Sequence, residues 1–365
     1  MGNNVKKAAA PRLGEKKLDL QKLLAPAALV ILYIGFSLLC PKLNGVDFFS
    51  IDYLITILES SYYIGFMAFG VTFIIITGGI DLSLGTVMMC AALLGGYSFK
   101  SGMPLIAAVI LTVLVGIVFG VLNGVMIAKL KLPPFIATLG TQMVSMGIGS
   151  IITKVQSQTW PTATAEIGGW FKKVFIRTDI SGLLKGIFPS IDYATWDPDL
   201  VYFLKSFPIG AFWLFGFFGI AALVLHKTKF GRYTYAIGSN EEAARLSGIN
   251  VDNWKIAVYG LSGFFIGMSA LMYAAAYTTI TPGTGNGREM DGITAVVIGG
   301  TSMAGGSGTM VGTLIGVFIM SVLKAGLSAL GLQAPWQTFF TGLVVIGAVL
   351  LDIQRTKAAN RVKKS

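Results

Sequence analysis

The feature that most limits what this chain can become is the length of its uncharged apolar runs. Met103 to Ala128 contains no charged residue, and neither does Val296 to Leu323. About 20 apolar residues carry a helix across the hydrocarbon core of a bilayer. A helix on a soluble domain shows a polar face every turn, and these runs do not. Only 12% of residues are charged against 54% hydrophobic, and mean hydropathy is +0.73; soluble domains carry about 25% charged residues. The fold expected is an all-α integral membrane protein.

Apolar segments place about ten spans, near 23–40, 62–77, 83–99, 103–128, 134–153, 208–226, 254–277, 291–304, 309–331 and 336–351. Residues 51–61 are expected to lie partly in the outer interface before the second span. The net charge of +11 does not point to nucleic acid once it is located: 18 of the 28 Lys and Arg fall in Lys6 to Lys22, Lys129 with Lys131, Lys227 to Lys255, and Arg355 to Lys364. Basic residues concentrate in cytoplasmic loops. An even number of spans returns the C-terminus to the side of the N-terminus, so both basic tails, 1–22 and 353–365, are expected in the cytoplasm around a membrane domain at 23–352. The polar stretch 154–207 then lies outside, as a lid or interfacial segment or as a contact for a partner protein.

Two hairpins look alike. One reads Gly70-Val-Thr and then Gly78-Gly-Ile-Asp-Leu-Ser-Leu-Gly-Thr86; the other reads Gly292-Ile-Thr, Gly299-Gly300 and Gly305-Gly-Ser-Gly-Thr309. Short segments interrupted by glycine in corresponding halves point to a transport pathway, because broken helices are tolerated in a membrane only where protein or water covers the freed backbone. Gly78, Gly79, Asp81, Ser83, Gly299 and Gly300 are therefore pathway candidates. Asp81 or Ser83 could equally cap the third span. Lys324 lies some seven residues from the outer end of its span, roughly 10 Å. It either snorkels outward or faces a central cavity. Glu289 and Asp291, beside Arg288, are expected at the outer mouth of the eighth span.

The polar segment Lys227 to Lys255 specifies a helix of about two turns, Glu241 to Ser247. Ser239 with Glu242 forms a capping-box pattern, Glu241 and Glu242 suit the positive end of the helix dipole and Arg245 the negative end, and Gly248 supplies a stop. A helix so short is unstable alone in water, so it needs a surface to rest on, either its own protein or a partner.

The run Thr228 to Val251 (TKFGRYTYAIGSNEEAARLSGINV) resembles the cytoplasmic loop of ribose- and galactoside-type permeases of bacterial ATP-binding cassette (ABC) importers. Gly78 to Gly85, Pro134 to Gly140 (PFIATLG) and Met290 to Ser302 (MDGITAVVIGGTS) resemble further signatures of that family, in the same order along the chain. The resemblance covers about residues 50–352; the long basic N-terminus and the 154–207 stretch depart from the common pattern. It implies a permease in the bacterial inner membrane that pairs with a second permease copy, a periplasmic sugar-binding protein and an ABC ATPase subunit. It also implies that Ser239, Asn240, Glu241, Glu242, Ala243, Ala244, Arg245 and Gly248 couple the spans to that ATPase, with small Ala243 and Ala244 allowing close approach.

No cofactor is expected on this chain, with ATP and Mg²⁺ on the partner: there is no Gly-x-x-x-x-Gly-Lys-Ser/Thr loop. Cys40 and Cys90 fit no metal or disulfide framework, and the single His226 ends a span. One His and two apolar Cys give no convergent catalytic set. An ion-coupled secondary transporter is the competing class; it needs buried carboxylates near the midplane, for which Asp81 is the strong candidate.

Overall fold

The computed structural model describes residues 20–187 and 196–362, and the expected N-terminal tail lies almost wholly outside them. Among the described residues the regular secondary structure is helical apart from one two-residue strand pair. Eight helices among the described residues are long and apolar enough to cross a membrane: α1 (Leu20–Asn44), α2 (Ile51–Ile76), α4 (Leu105–Ala128), α5 (Pro134–Ile152), α9 (Gly210–Lys227), α12 (Val251–Tyr277), α14 (Met310–Ala329) and α15 (Ala334–Val362). The other two expected spans are shorter. α3 (Leu84–Lys100) has 17 residues and α13 (Glu289–Ile298) has 10, or about 25 and 15 Å at 1.5 Å per residue. α13 is too short to cross the core, so it is a half-height helix.

α2 and α12 form the centre, 72% buried along their apolar windows, while α1 and α15 lie at the periphery, 11% and 12% buried. α12 packs against α4 through small residues. A Cβ at Gly120 would stand 2.4 Å from Tyr259 O, and one at Gly116 would stand 2.4 Å from Gly263 O. Without a solvent-driven hydrophobic force between them, helices in lipid associate through such close backbone contact.

α2 begins at Ile51, eleven residues before the expected span, and its first turns are held by the 154–207 segment. Ser50 caps it, Tyr202 donates to Asp52, and Arg177 donates two bonds to Glu59 at 2.6 and 2.9 Å. The described part of that segment carries α6 (Trp170–Phe175), α7 (Ser181–Ile187) and α8 (Pro198–Lys205). Trp160 anchors it: fully buried, it stacks on Phe171 at 4.8 Å and donates Nε1 to Ala92 O of α3 at 3.0 Å. Strand β1 (Gln158–Thr159) pairs antiparallel with β2 (Thr279–Ile280), Gln158 opposite Ile280.

After β2 the chain turns back into the bundle. Trp160 meets Gly95 and Gly96 of α3, whereas Gly285 meets Gly85, at the first turn of the same helix. The segment 281–288 therefore descends ten residues' worth of α3, about 15 Å, before α13 starts. This overturns the expectation that Glu289 and Asp291 sit at an outer mouth. Both are buried, 4% and 3% exposed.

Candidate functional site

The polar loop after α9 folds as two helices. Thr228 opens α10 (Lys229–Ser239), its hydroxyl accepting from Phe230 N at 3.1 Å. Asn240 then breaks the chain in an extended conformation (φ −162°, ψ 105°), and α11 (Glu241–Leu246) follows. The cap is Asn240, whose side chain accepts from Ala243 N at 2.9 Å; the expected Ser239–Glu242 box does not form. A cap residue must leave helical geometry, and Ser239 is still the last residue of α10. Gly248, at φ +84°, ends the helix as expected.

One face of α11 rests on its own chain. Ala244, 4% exposed, packs with Ile237 and Val251. Arg245 bridges Glu241 at 3.4 Å and Asp252 at 3.1 Å, Lys255 reaches Glu241 at 2.7 Å, and Lys131 reaches Asp252 at 2.9 Å. Burial alone would raise the Glu241 carboxyl, but the Lys255 hydrogen bond and charge, with Arg245 beside them, hold it below its ordinary value. The opposite face exposes Glu242, Ala243 and Leu246. Leu246 is 88% exposed, a bare apolar side chain that sequence reading passed over. The two alanines therefore do different things: Ala244 packs inward and Ala243 faces out.

The first glycine break, between α2 and α3, is built around Asp81. Its Oδ1 accepts from Ser83 N at 2.8 Å and Ser83 Oγ at 2.6 Å. Asn123 of α4 donates Nδ2 to Ser83 Oγ at 2.9 Å and accepts from Thr141 of α5 at 2.5 Å. Asp81 and Ser83 are 1% and 0% exposed, Gly79 is buried, and Gly78 is exposed. Asp81 thus ties the start of α3 to α4 and α5; Ser83 occupies the cap position without a side-chain cap bond.

The second break, between α13 and α14, lies against the first. Gly306 N donates to Ile76 O at 2.8 Å, and Met303 N donates to Asp352 of α15 at 3.2 Å. Gly299 closes on Gly312 with 2.2 Å left for a Cβ, and Gly300 turns at φ +92°. α10 seats on both breaks at once. A Cβ at Gly238 would stand 1.7 Å from Ile76 O and 2.7 Å from Gly306 N, and Tyr235 donates to Gly308 O at 2.7 Å. Neither Gly238 nor Tyr235 was singled out from sequence, since only tertiary contact gives them a role.

Lys324 does not reach the outer surface. It pairs with Asp291 of α13, and its Nζ lies 3.4 Å from Tyr63 Oη of α2. Arg288 sits nearby, its guanidinium 4.9 Å from the centre of the Tyr273 ring.

These elements, the short capped helix α11 beside an α10 seated on two glycine breaks within a bundle of apolar spans, agree with the family that the sequence matches. Residues 53–349 match the family described as branched-chain amino acid transport system / permease component. The chain belongs to this permease family. It is 35% identical over 327 residues to the ribose import permease protein RbsC of Escherichia coli K12, covering 89% of this chain and 91% of that one. To the ribose import permease protein of Bacillus subtilis it is 36% identical, covering 92% and 94%. The fructose import permease protein FrcC of Rhizobium meliloti is 31% identical, with 90% and 85% covered. No solved structure matches the chain. The matched region takes in both breaks, α10 and α11.

Proposed function

We propose that this chain is the membrane-spanning subunit of an ABC importer in the bacterial inner membrane, carrying a monosaccharide inward on energy from a separate ATPase. Sequence similarity to ribose and fructose import permeases supports the solute class. The observation that carries the coupling is α11. It is fastened to the bundle by Ala244 and its ion pairs, yet presents Glu242, Ala243 and Leu246 to solvent. That exposed face lies on the side with Lys131 and the far end of α15, where the basic loops gather. Two copies would flank one path, with a sugar-binding protein outside and ATP and Mg²⁺ on the partner ATPase inside. The ATPase would push on α11, and α10 would pass that displacement to both breaks through Gly238.

Replacing Ala243 by Trp tests this. The variant should insert and melt like the parent, because Ala243 faces solvent, while sugar uptake falls and ATP hydrolysis by the assembled complex persists. Unaltered uptake would refute the coupling role. An ion-coupled carrier is the second reading, and the buried carboxylates Asp81, Glu289 and Asp291 are the observation in its favour. Uptake that survives ATP depletion and collapses with an uncoupler would establish it instead.

A further inference from the structure

The segment that descends from β2 places amides where lipid would not tolerate them. Gln142 is the ninth residue of the 19-residue α5, about 12 Å from one end and 15 Å from the other. There it donates Nε2 to Asn286 Oδ1 at 3.0 Å, and the pair is solvent-accessible in the isolated chain. One amide–amide hydrogen bond uses one donor of Gln142 and one acceptor of Asn286, leaving the rest of both groups open. Open amide donors facing hydrocarbon cost several kcal/mol each, so this surface must face water or protein. Arg288 follows two residues later, half-buried against Tyr273, and Tyr273 lies 4.4 Å from Tyr277, the last residue of α12 at the outer end. Tyr277 is 49% exposed. Tyr277 near the end of α12, Arg288 and then the Gln142–Asn286 pair thus set polar groups at successive positions toward mid-depth.

We infer that Tyr277, Arg288, Asn286 and Gln142 form the wall along which a neutral, polyhydroxylated solute enters, with the Gln142–Asn286 pair as its contact at mid-depth. The inference rests on the monosaccharide reading above. Amides both donate and accept, as hydroxyl groups do, and the Gln142–Asn286 site bears no charge that would retain the solute. Each hydroxyl can exchange water for an amide at little net gain, which suits passage rather than storage.

The test uses the full chain assembled with its ATPase and solute-binding subunits. Native Cys40 and Cys90 are both buried, so a thiol introduced by Gln142→Cys is the reactive one. A charged, water-soluble methanethiosulfonate should modify it about tenfold faster than Leu114→Cys, an exposed apolar position on α4, because the reactive thiolate forms only in water. Gln142→Leu should slow D-ribose or D-fructose uptake about threefold to tenfold, with Gln142→Asn retaining most of it. Modification no faster than at Leu114→Cys, or full uptake by Gln142→Leu, would overturn the proposal. So would spontaneous disulfide linkage of two Gln142→Cys copies without reagent access, which would make this face a dry subunit contact. If the parent assembly takes up neither sugar, the monosaccharide reading fails, and the modification rates still decide whether the wall faces water.

Discussion

The Asp291–Lys324 pair gives the sharpest stability prediction. Both side chains are withdrawn from solvent, 4% and 18% exposed. Removing one partner of a buried pair leaves an uncompensated charge and costs about 3–5 kcal/mol, whereas replacing both by apolar or neutral groups is often close to neutral. The partial exposure of Lys324 puts the single changes at or just below the low end of that range. They should also be unequal. After Asp291→Asn, Lys324 keeps only the Tyr63 hydroxyl and still feels Arg288, which lies close enough to interact with Asp291 electrostatically. After Lys324→Met, Asp291 keeps the attraction of Arg288. We expect losses of about 3 kcal/mol for Asp291→Asn and about 2 for Lys324→Met, with about 1 or less for the double variant. The coupling energy would then be about 4 kcal/mol. Unfolding of the purified chain in micelles, titrated with denaturant, measures all three. A double variant whose loss equals the sum of the singles within about 0.5 kcal/mol would refute a functioning ion pair.

Other consequences are quicker to check. Gly120→Leu should force α4 away from α12, where only 2.4 Å separates a Cβ from Tyr259 O, and lower micellar stability by about 1–3 kcal/mol or more. Asn240→Ala should loosen α11 by about 1 kcal/mol, read as faster amide exchange over Glu241–Leu246, while Ser239→Ala leaves that exchange unchanged. Because the Glu241 carboxyl is held below its ordinary value of 4.5, its contribution is present above that pH and is lost as pH falls through the lower folded-state value. Amide protection in α11, corrected for the intrinsic pH dependence of exchange, should fall below about pH 4.5, modestly because Glu241 is 42% exposed; Glu241→Gln should weaken that pH dependence, leaving the part due to Asp252, which pairs with Arg245 and is also held below its ordinary value.

Much of this architecture was legible in the residues. Apolar run length located every long helix, and dipole charges with Gly248 bounded α11 to within a residue of its observed end. The glycine-rich breaks fell where the sequence placed them. What escaped was decided across the fold. Ser239 and Asn240 are equally good caps by type, and the choice turned on how far α10 continues. That α2 already begins at Ile51 depends on partners more than a hundred residues away, Tyr202 for Asp52 and Arg177 for Glu59. Glu289 and Asp291 looked external for the same reason: local sequence does not say that a two-residue strand pair turns the following loop inward. Ala243 and Ala244 are indistinguishable as letters, and only the register of α11 against Ile237 and Val251 separates them.

The shortness of α13 bears on how the protein is made. A ten-residue apolar stretch is about half of what spans a bilayer on its own, so the insertion machinery has no reason to retain it as it leaves the ribosome. Its place beside α2 and α14 must be taken after those longer neighbours are in the bilayer, drawing segment 281–288 down with it. Integration of this part of the chain is thus a late folding event, dependent on contacts such as Gly285 with Gly85 and Asp291 with Lys324, and a protein in which those contacts fail would carry every long span correctly and still lack its inner wall.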